Sequence, residues 1–228
     1  MITNKTIIFY VFSVYLAGLM MACSGNKPQQ EEQESAAVEE IEIKEDRPIV
    51  LFFGNSLTAG YGLEEEDAFP ALIQDKIDSA GLEYLVINGG LSGETSASGL
   101  NRLDWFLEEG PAVFVLELGG NDGLRGISVA ETRKNLKEII QKVKSRYTDT
   151  KIVLAGMQIP PNMGQEYTAE FSGIYQEIAS EESVSLIPFL LEGVAGNPKL
   201  NLPDGIHPTE EGHEIVAGTI WEYIFKLL

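Results

Sequence analysis

Five short apolar runs, at residues 49–53, 84–87, 112–118, 151–155 and 184–187, alternate with segments of helical periodicity. Alternation of this kind leaves one economical arrangement: parallel strands joined by right-handed crossover helices. The fold class expected is α/β, three layers (α/β/α) around a five-stranded parallel sheet. The run at 112–118 is almost wholly apolar, as a strand covered on both faces must be. Phe69, Leu72, Ile73, Ile77 and Ala80 recur at helix spacing, with Pro70 in the first turn and Gly81 at the stop. Further helices are expected after Ser96, carrying Leu100, Leu103, Trp105, Phe106 and Leu107, then over 128–147, 166–181 and from Thr209 to about Phe225.

The first 46 residues lie outside this pattern. Lys5 precedes an apolar stretch at 7–22 that is short for a membrane span, so residues 1–23 are expected to be a signal peptide. Cys23, the only cysteine, directly follows that stretch, and the junction resembles the lipobox of bacterial lipoproteins, with Met20 where leucine is usual. Cys23 is therefore the expected lipidation site; ordinary cleavage near Ala22 is the alternative. Residues 24–46 are rich in Glu, Gln, Ser and Ala without an aromatic residue, and should form a disordered acidic linker to a domain over 47–228. Export across the inner membrane, to the periplasm or the outer membrane, follows from this reading, with membrane contact through the lipid anchor alone.

Of the formal net charge of −19, the linker contributes −6 and Lys5 +1, which leaves −14 on the domain. Nucleic-acid binding rests on neutralising phosphates with Lys and Arg, so a surface this acidic excludes that class of partner. A chain of 228 residues holds one well-cored domain, and a monomer is expected.

The loops carry the chemistry. The first strand breaks at Gly54 and Ser56 follows, at the carboxyl end of a strand, where open α/β sheets bind ligands. Loops 91–96 and 119–123 and the segment 204–209 can converge on the same edge. Together they offer a hydroxyl, glycine N–H groups, an asparagine and an Asp-x-x-His pair, the set that acyl transfer requires. Only two histidines are available as base. His207 lies three residues after Asp204, whereas His213 falls among Glu210, Glu211 and Glu214 and reads as a helix-surface residue. Two histidines six apart without a third ligand match no metal spacing, so neither metal nor cofactor is expected. The turn Gly54-Asn55-Ser56-Leu57-Thr58 lacks the second glycine of the Gly-x-Ser-x-Gly elbow.

Gly54-Asn55-Ser56-Leu57, Gly93 within Ser92-Gly93-Glu94-Thr95-Ser96, Gly119-Gly120-Asn121-Asp122 and Asp204-Gly205-Ile206-His207-Pro208 resemble, in order, the four blocks of the SGNH (GDSL) hydrolases. The run from Glu117 to Gly126 is most similar to the bacterial thioesterase I / lysophospholipase / arylesterase branch. The resemblance implies a flavodoxin-like SGNH-hydrolase fold. It implies Ser56 as nucleophile, His207 as base and Asp204 as its orienting carboxylate, with the N–H groups of Ser56 and Gly93 and the Asn121 side chain as oxyanion hole. One departure stands out: Asn55 replaces the aspartate of the GDSL block. The amide removes a negative charge beside the nucleophile, so the acid limb of the pH–rate profile should lie lower than in an aspartate-bearing relative.

The resemblance thus implies a serine esterase acting on small-molecule acyl esters or thioesters, including lysophospholipids and aryl esters. A carbohydrate O-acetylesterase with the same triad is the alternative within the enzyme class, and a non-catalytic lipid- or glycan-binding lipoprotein the alternative outside it. The loop 157–163 is apolar enough to line an acyl pocket.

Overall fold

The computed structural model describes residues 47–228. The leader, Cys23 and the acidic linker lie outside the described residues. Five parallel strands, β1 (Ile49–Gly54), β2 (Leu85–Gly90), β3 (Val113–Glu117), β4 (Lys151–Ala155) and β5 (Ser185–Ile187), form one sheet in the order β2-β1-β3-β4-β5. Among the described residues seven α-helices accompany them: α1 (Ser56–Ala59), α2 (Phe69–Ser79), α3 (Ser96–Arg102), α4 (Gly120–Leu124), α5 (Val129–Arg146), α6 (Gln165–Glu182) and α7 (Glu210–Ile224).

Helix α2 packs with α7, and α5 packs with both α3 and α6. The two groups cover opposite faces of the sheet, which gives the three layers expected. The centre of the sheet is accordingly dry: Val50, Leu51, Phe52, Phe53 and Val113 to Leu116 are all buried. Burial of both faces is why these strands are continuous apolar runs. Helix α5 shows the amphipathic counterpart, with Leu136, Ile139, Ile140 and Val143 buried and Ser128 capping its first turn by accepting the Glu131 N–H.

Strand order reverses at β1, whose neighbours are β2 and β3. Loops leaving β1 and β3 therefore diverge to opposite faces and open a crevice at their carboxyl ends, the usual ligand site of such sheets. Ser56 follows β1 and Asn121 follows β3, so topology brings the two to one crevice.

Residues 120–124, expected within a loop, form α4, and two boundaries move by several residues. Strand β2 runs on through Asn88, Gly89 and Gly90, which pair with Phe52, Phe53 and Gly54. Ladder hydrogen bonds outweigh the turn propensity of that tripeptide because β1 already presents a partner row. The helix after Ser96 ends at Arg102 and tightens into a 3₁₀ turn over Leu103–Phe106, leaving Trp105 exposed.

Candidate active site

Ser56 is the first residue of the one-turn helix α1, so its N–H has no acceptor within the helix. Asn55 caps that turn, its Oδ1 accepting the Leu57 N–H at 3.0 Å. The asparagine is itself held from below: its N–H and its Nδ2 donate to Glu117 at 3.0 and 2.6 Å, and Thr58 Oγ1 donates to the same carboxyl group at 2.9 Å. Gly54 pairs with Glu117 across β1 and β3. A Cβ at position 54 would lie 2.6 Å from Glu117 Oε2 and closer still to Thr58 Oγ1, so only glycine fits above this clamp. Glu117 is fully buried, and desolvation pushes its carboxyl group up to about 7 despite the four hydrogen bonds from Asn55 and Thr58 that oppose the shift.

The segment before α7 brings His207 to Ser56. His207 Nε2 lies 2.9 Å from Ser56 Oγ, and its Nδ1 lies 2.7 Å from Asp204 Oδ2. With Nδ1–H donating to the carboxylate, Nε2 is the acceptor for the serine proton. Asn55 Oδ1, at 3.3 Å from Ser56 Oγ, is the weaker competitor for it. Asp204 Oδ1 accepts the N–H groups of His207 and Ile206 at 3.0 and 2.9 Å. These backbone donors, the His207 N–H first, bring its pKa down to about 2, so the carboxylate stays ionised beside the imidazole. Tyr61, half exposed, lies against the His207 ring, tilted by 38° with centroids 4.4 Å apart.

On the far side of the crevice Asn121 lies in α4, its Nδ2 donating to the Glu94 carbonyl at 3.0 Å. One Nδ2 hydrogen remains for a ligand. Gly93 has φ +82°, a backbone conformation that favours glycine, and its carbonyl receives Arg125 Nη2 at 3.0 Å. Asp122, buried next to Asn121, accepts the Ser96 N–H and Oγ–H at 2.8 and 2.5 Å, which ties α4 to the start of α3.

Asn55, Ser56, Asn121 and His207 open onto a cavity of about 630 Å³. Leu57, Leu124, Met157, Ile159, Phe189 and Leu191 supply its apolar wall. Of the loop expected to line it, residues 157–161 do so; Phe189 and Leu191 were not anticipated.

A profile of the GDSL-like lipase/acylhydrolase family matches residues 52–215. The chain belongs to this family. It is 41% identical over 180 residues to the esterase TesA of Pseudomonas aeruginosa, covering 78% of this chain and 89% of that protein. To the thioesterase 1/protease 1/lysophospholipase L1 of Escherichia coli it is 40% identical over 169 residues, 74% of this chain and 79% of that one. A crystal structure of TesA superposes with a TM-score of 0.76 at 40% identity, over 79% of this chain and 99% of the other. The protein is thus an enzyme, a carboxylic-ester hydrolase of the SGNH type.

One sequence expectation is corrected within this hydrolase. His213 does not lie on the surface of the last helix: it is 1% exposed, its Nδ1 accepts the Phe69 N–H at 3.0 Å, and its ring stacks on Phe69. Helix α2 has no side-chain N-cap of its own, and His213 takes that place from α7. Burial holds its imidazole down at about 4, neutral and able to accept. The flanking glutamates misled the reading, because a helix turning every 3.6 residues can bury one position between three exposed ones. Sequence reasoning also missed Glu117 and Arg102. Each had a signal: a lone carboxylate inside an apolar strand, and an arginine between Leu100 and Leu103.

Proposed function

We propose that Ser56, His207 and Asp204 act as a catalytic triad that hydrolyses acyl esters or thioesters through an acyl-enzyme. The observation that carries this is the unbroken chain from Ser56 Oγ through His207 to Asp204, with contacts of 2.9 and 2.7 Å, opening on an apolar cavity. Ser56 Oγ attacks the acyl carbonyl as its proton passes to Nε2, and Asp204 stabilises the imidazolium. The tetrahedral oxyanion accepts hydrogen bonds from the Ser56 and Gly93 N–H groups and from Asn121 Nδ2. Collapse expels the alcohol or thiol, which takes the proton from His207. Water then repeats the sequence on the acyl-serine and releases the acid.

The wall formed by Leu57, Leu124, Met157, Ile159, Phe189 and Leu191 supports an extended acyl chain over the acetyl group of a sugar ester. The names of the relatives fit the same reading: one an esterase, another a thioesterase and lysophospholipase. Export by the leader and anchoring through Cys23 complete the proposal, and a Cys23→Ser variant should leave the detergent phase in a detergent-partition assay.

The test is hydrolysis of p-nitrophenyl esters from acetyl to palmitoyl by the wild type and Ser56→Ala. Several orders of magnitude should be lost in the variant, with the optimum above acetyl. Equal rates in the two proteins would remove Ser56 from the mechanism, and activity on acetyl alone would favour the sugar-ester alternative.

A further inference from the structure

Next to Gly93 in sequence, Glu94 forms a buried ion pair with Arg102. The two residues are 3% and 8% exposed. Arg102 Nε donates to Glu94 Oε1 at 2.6 Å, and Nη2 donates to Oε2. Nη2 also reaches the carbonyls of Gly89 at 2.7 Å and Gly54 at 3.3 Å, while the guanidinium lies 4.2 Å over the Phe53 ring. We propose that the Arg102–Glu94 pair is the positioning element that holds the oxyanion donors in register with the nucleophile.

Glu94 has two attachments. Its side chain is fixed through Arg102 to the last residue of β1, two positions before Ser56, and to the end of β2. Its main-chain carbonyl accepts Asn121 Nδ2. Loop 91–96, which carries the Gly93 N–H, and the Asn121 amide are therefore referred to the nucleophile turn through one carboxylate and one guanidinium. Among the described residues, the Asn121 side chain has no other hydrogen bond to fix it.

Stability alone is a weak reason for such a pair, since a buried ion pair gains little over apolar residues of similar volume once desolvation is counted. Its distinctive property is orientation. A planar guanidinium engaging one carboxylate and two carbonyls defines angles as well as distances, which neither a lysine nor an apolar contact does. Oxyanion donors depend on such angles, because they must meet the oxygen of the tetrahedral intermediate rather than the ground-state carbonyl. Neither Glu94 nor Arg102 lines the cavity, so both act through Gly93 and Asn121.

The proposal rests on the reading of Gly93 and Asn121 as oxyanion donors, and a double-mutant cycle separates the two. Steady-state hydrolysis of p-nitrophenyl butyrate is measured for wild type, Asn121→Ala, Glu94→Gln and the double variant. Asn121→Ala alone should lower kcat roughly 10²–10³-fold. Glu94→Gln faces the guanidinium with a second donor and should lower kcat roughly 10–100-fold with KM within about threefold, because the donors are engaged mainly in the transition state. In the double variant, the Asn121→Ala step should shrink to roughly tenfold, leaving kcat near that of Asn121→Ala alone, since Glu94→Gln has already cost part of that donor's contribution.

Multiplicative losses, or a loss in KM alone, would overturn the proposal and leave the pair a purely structural role. Full activity of Asn121→Ala would instead refute the oxyanion assignment. Where Glu94→Gln does not yield folded protein, judged by thermal melting, the same cycle is run on Arg102→Lys, which keeps the charge but not the fork and carries the same expectation.

Discussion

Replacing Asn55 with the aspartate of the GDSL block tests the clamp beneath Ser56. In Asn55→Asp, an oxygen takes the place of Nδ2, 2.6 Å from Glu117 Oε1, inside a fully buried site. Two charge centres about 4 Å apart repel by about 4 kcal/mol at an effective dielectric of 20, about three pK units. Glu117 already ionises only at about 7, so the pair should keep one shared proton to about pH 10. The sign follows from linkage. Above pH 7 the wild type has no such proton in either state, whereas the folded variant holds one that its unfolded chain releases. Its stability should therefore fall relative to wild type by about 1.4 kcal/mol per pH unit once Glu117 of the wild type has ionised, about 2 kcal/mol from pH 7 to 9. Urea unfolding at pH 7, 8 and 9 measures this. A second readout is catalytic. Asn55 Oδ1 is 3.3 Å from Ser56 Oγ, which is 2.9 Å from His207 Nε2, so the added charge should raise the acid limb of kcat/KM by at least about half a unit. Parallel stability curves would show that the pair holds no proton and refute the clamp argument; an unmoved acid limb would show that charge at position 55 does not reach the base.

Three further outcomes are expected. His213 stays neutral in the fold down to about pH 4, below its ordinary 6.5, so the unfolded chain binds the extra proton in that window and the contribution of this residue to stability falls by about 3 kcal/mol as the pH drops through it, against the gain from Glu117, which holds a proton in the fold below about 7. Relative to wild type, His213→Gln should gain about 3 kcal/mol as the pH drops from 6.5 to 4 in urea unfolding, and curves that stay parallel would count against burial as the cause. Gly54→Ala places a methyl group against Glu117 and Thr58 and should cost about 1–3 kcal/mol in urea unfolding together with a loss of kcat; a fully active, equally stable variant would contradict the fit. Leu191→Phe narrows the cavity and should move the p-nitrophenyl ester optimum to shorter chains with the acetyl rate kept, while an unchanged optimum would place the acyl chain elsewhere.

The sequence by itself determined the α/β class and the order of the strands along the chain, because burial on both faces leaves continuous apolar runs at 49–53 and 112–118 whatever they pack against. It also marked which polar residues could be chemical, since Ser56, Gly93, Asn121, Asp204 and His207 follow apolar strands or precede the last helix, where one edge of the sheet can gather them. Local signals stop at local structure. The asparagine and glycines of 88–90 look like a turn, and only the neighbouring strand makes them part of a ladder. His213 looks exposed among glutamates, and only the packing of α7 on α2 turns it into a cap. Glu117 and Arg102 were visible as charged residues among apolar ones, but their partners at Asn55, Thr58, Gly54 and Glu94 lie on other elements. Periodicity reports how each segment meets water, which is a property of the segment. Which buried charge meets which is a property of strand order and helix packing, and that was decided only when the crevice between β1 and β3 closed around them.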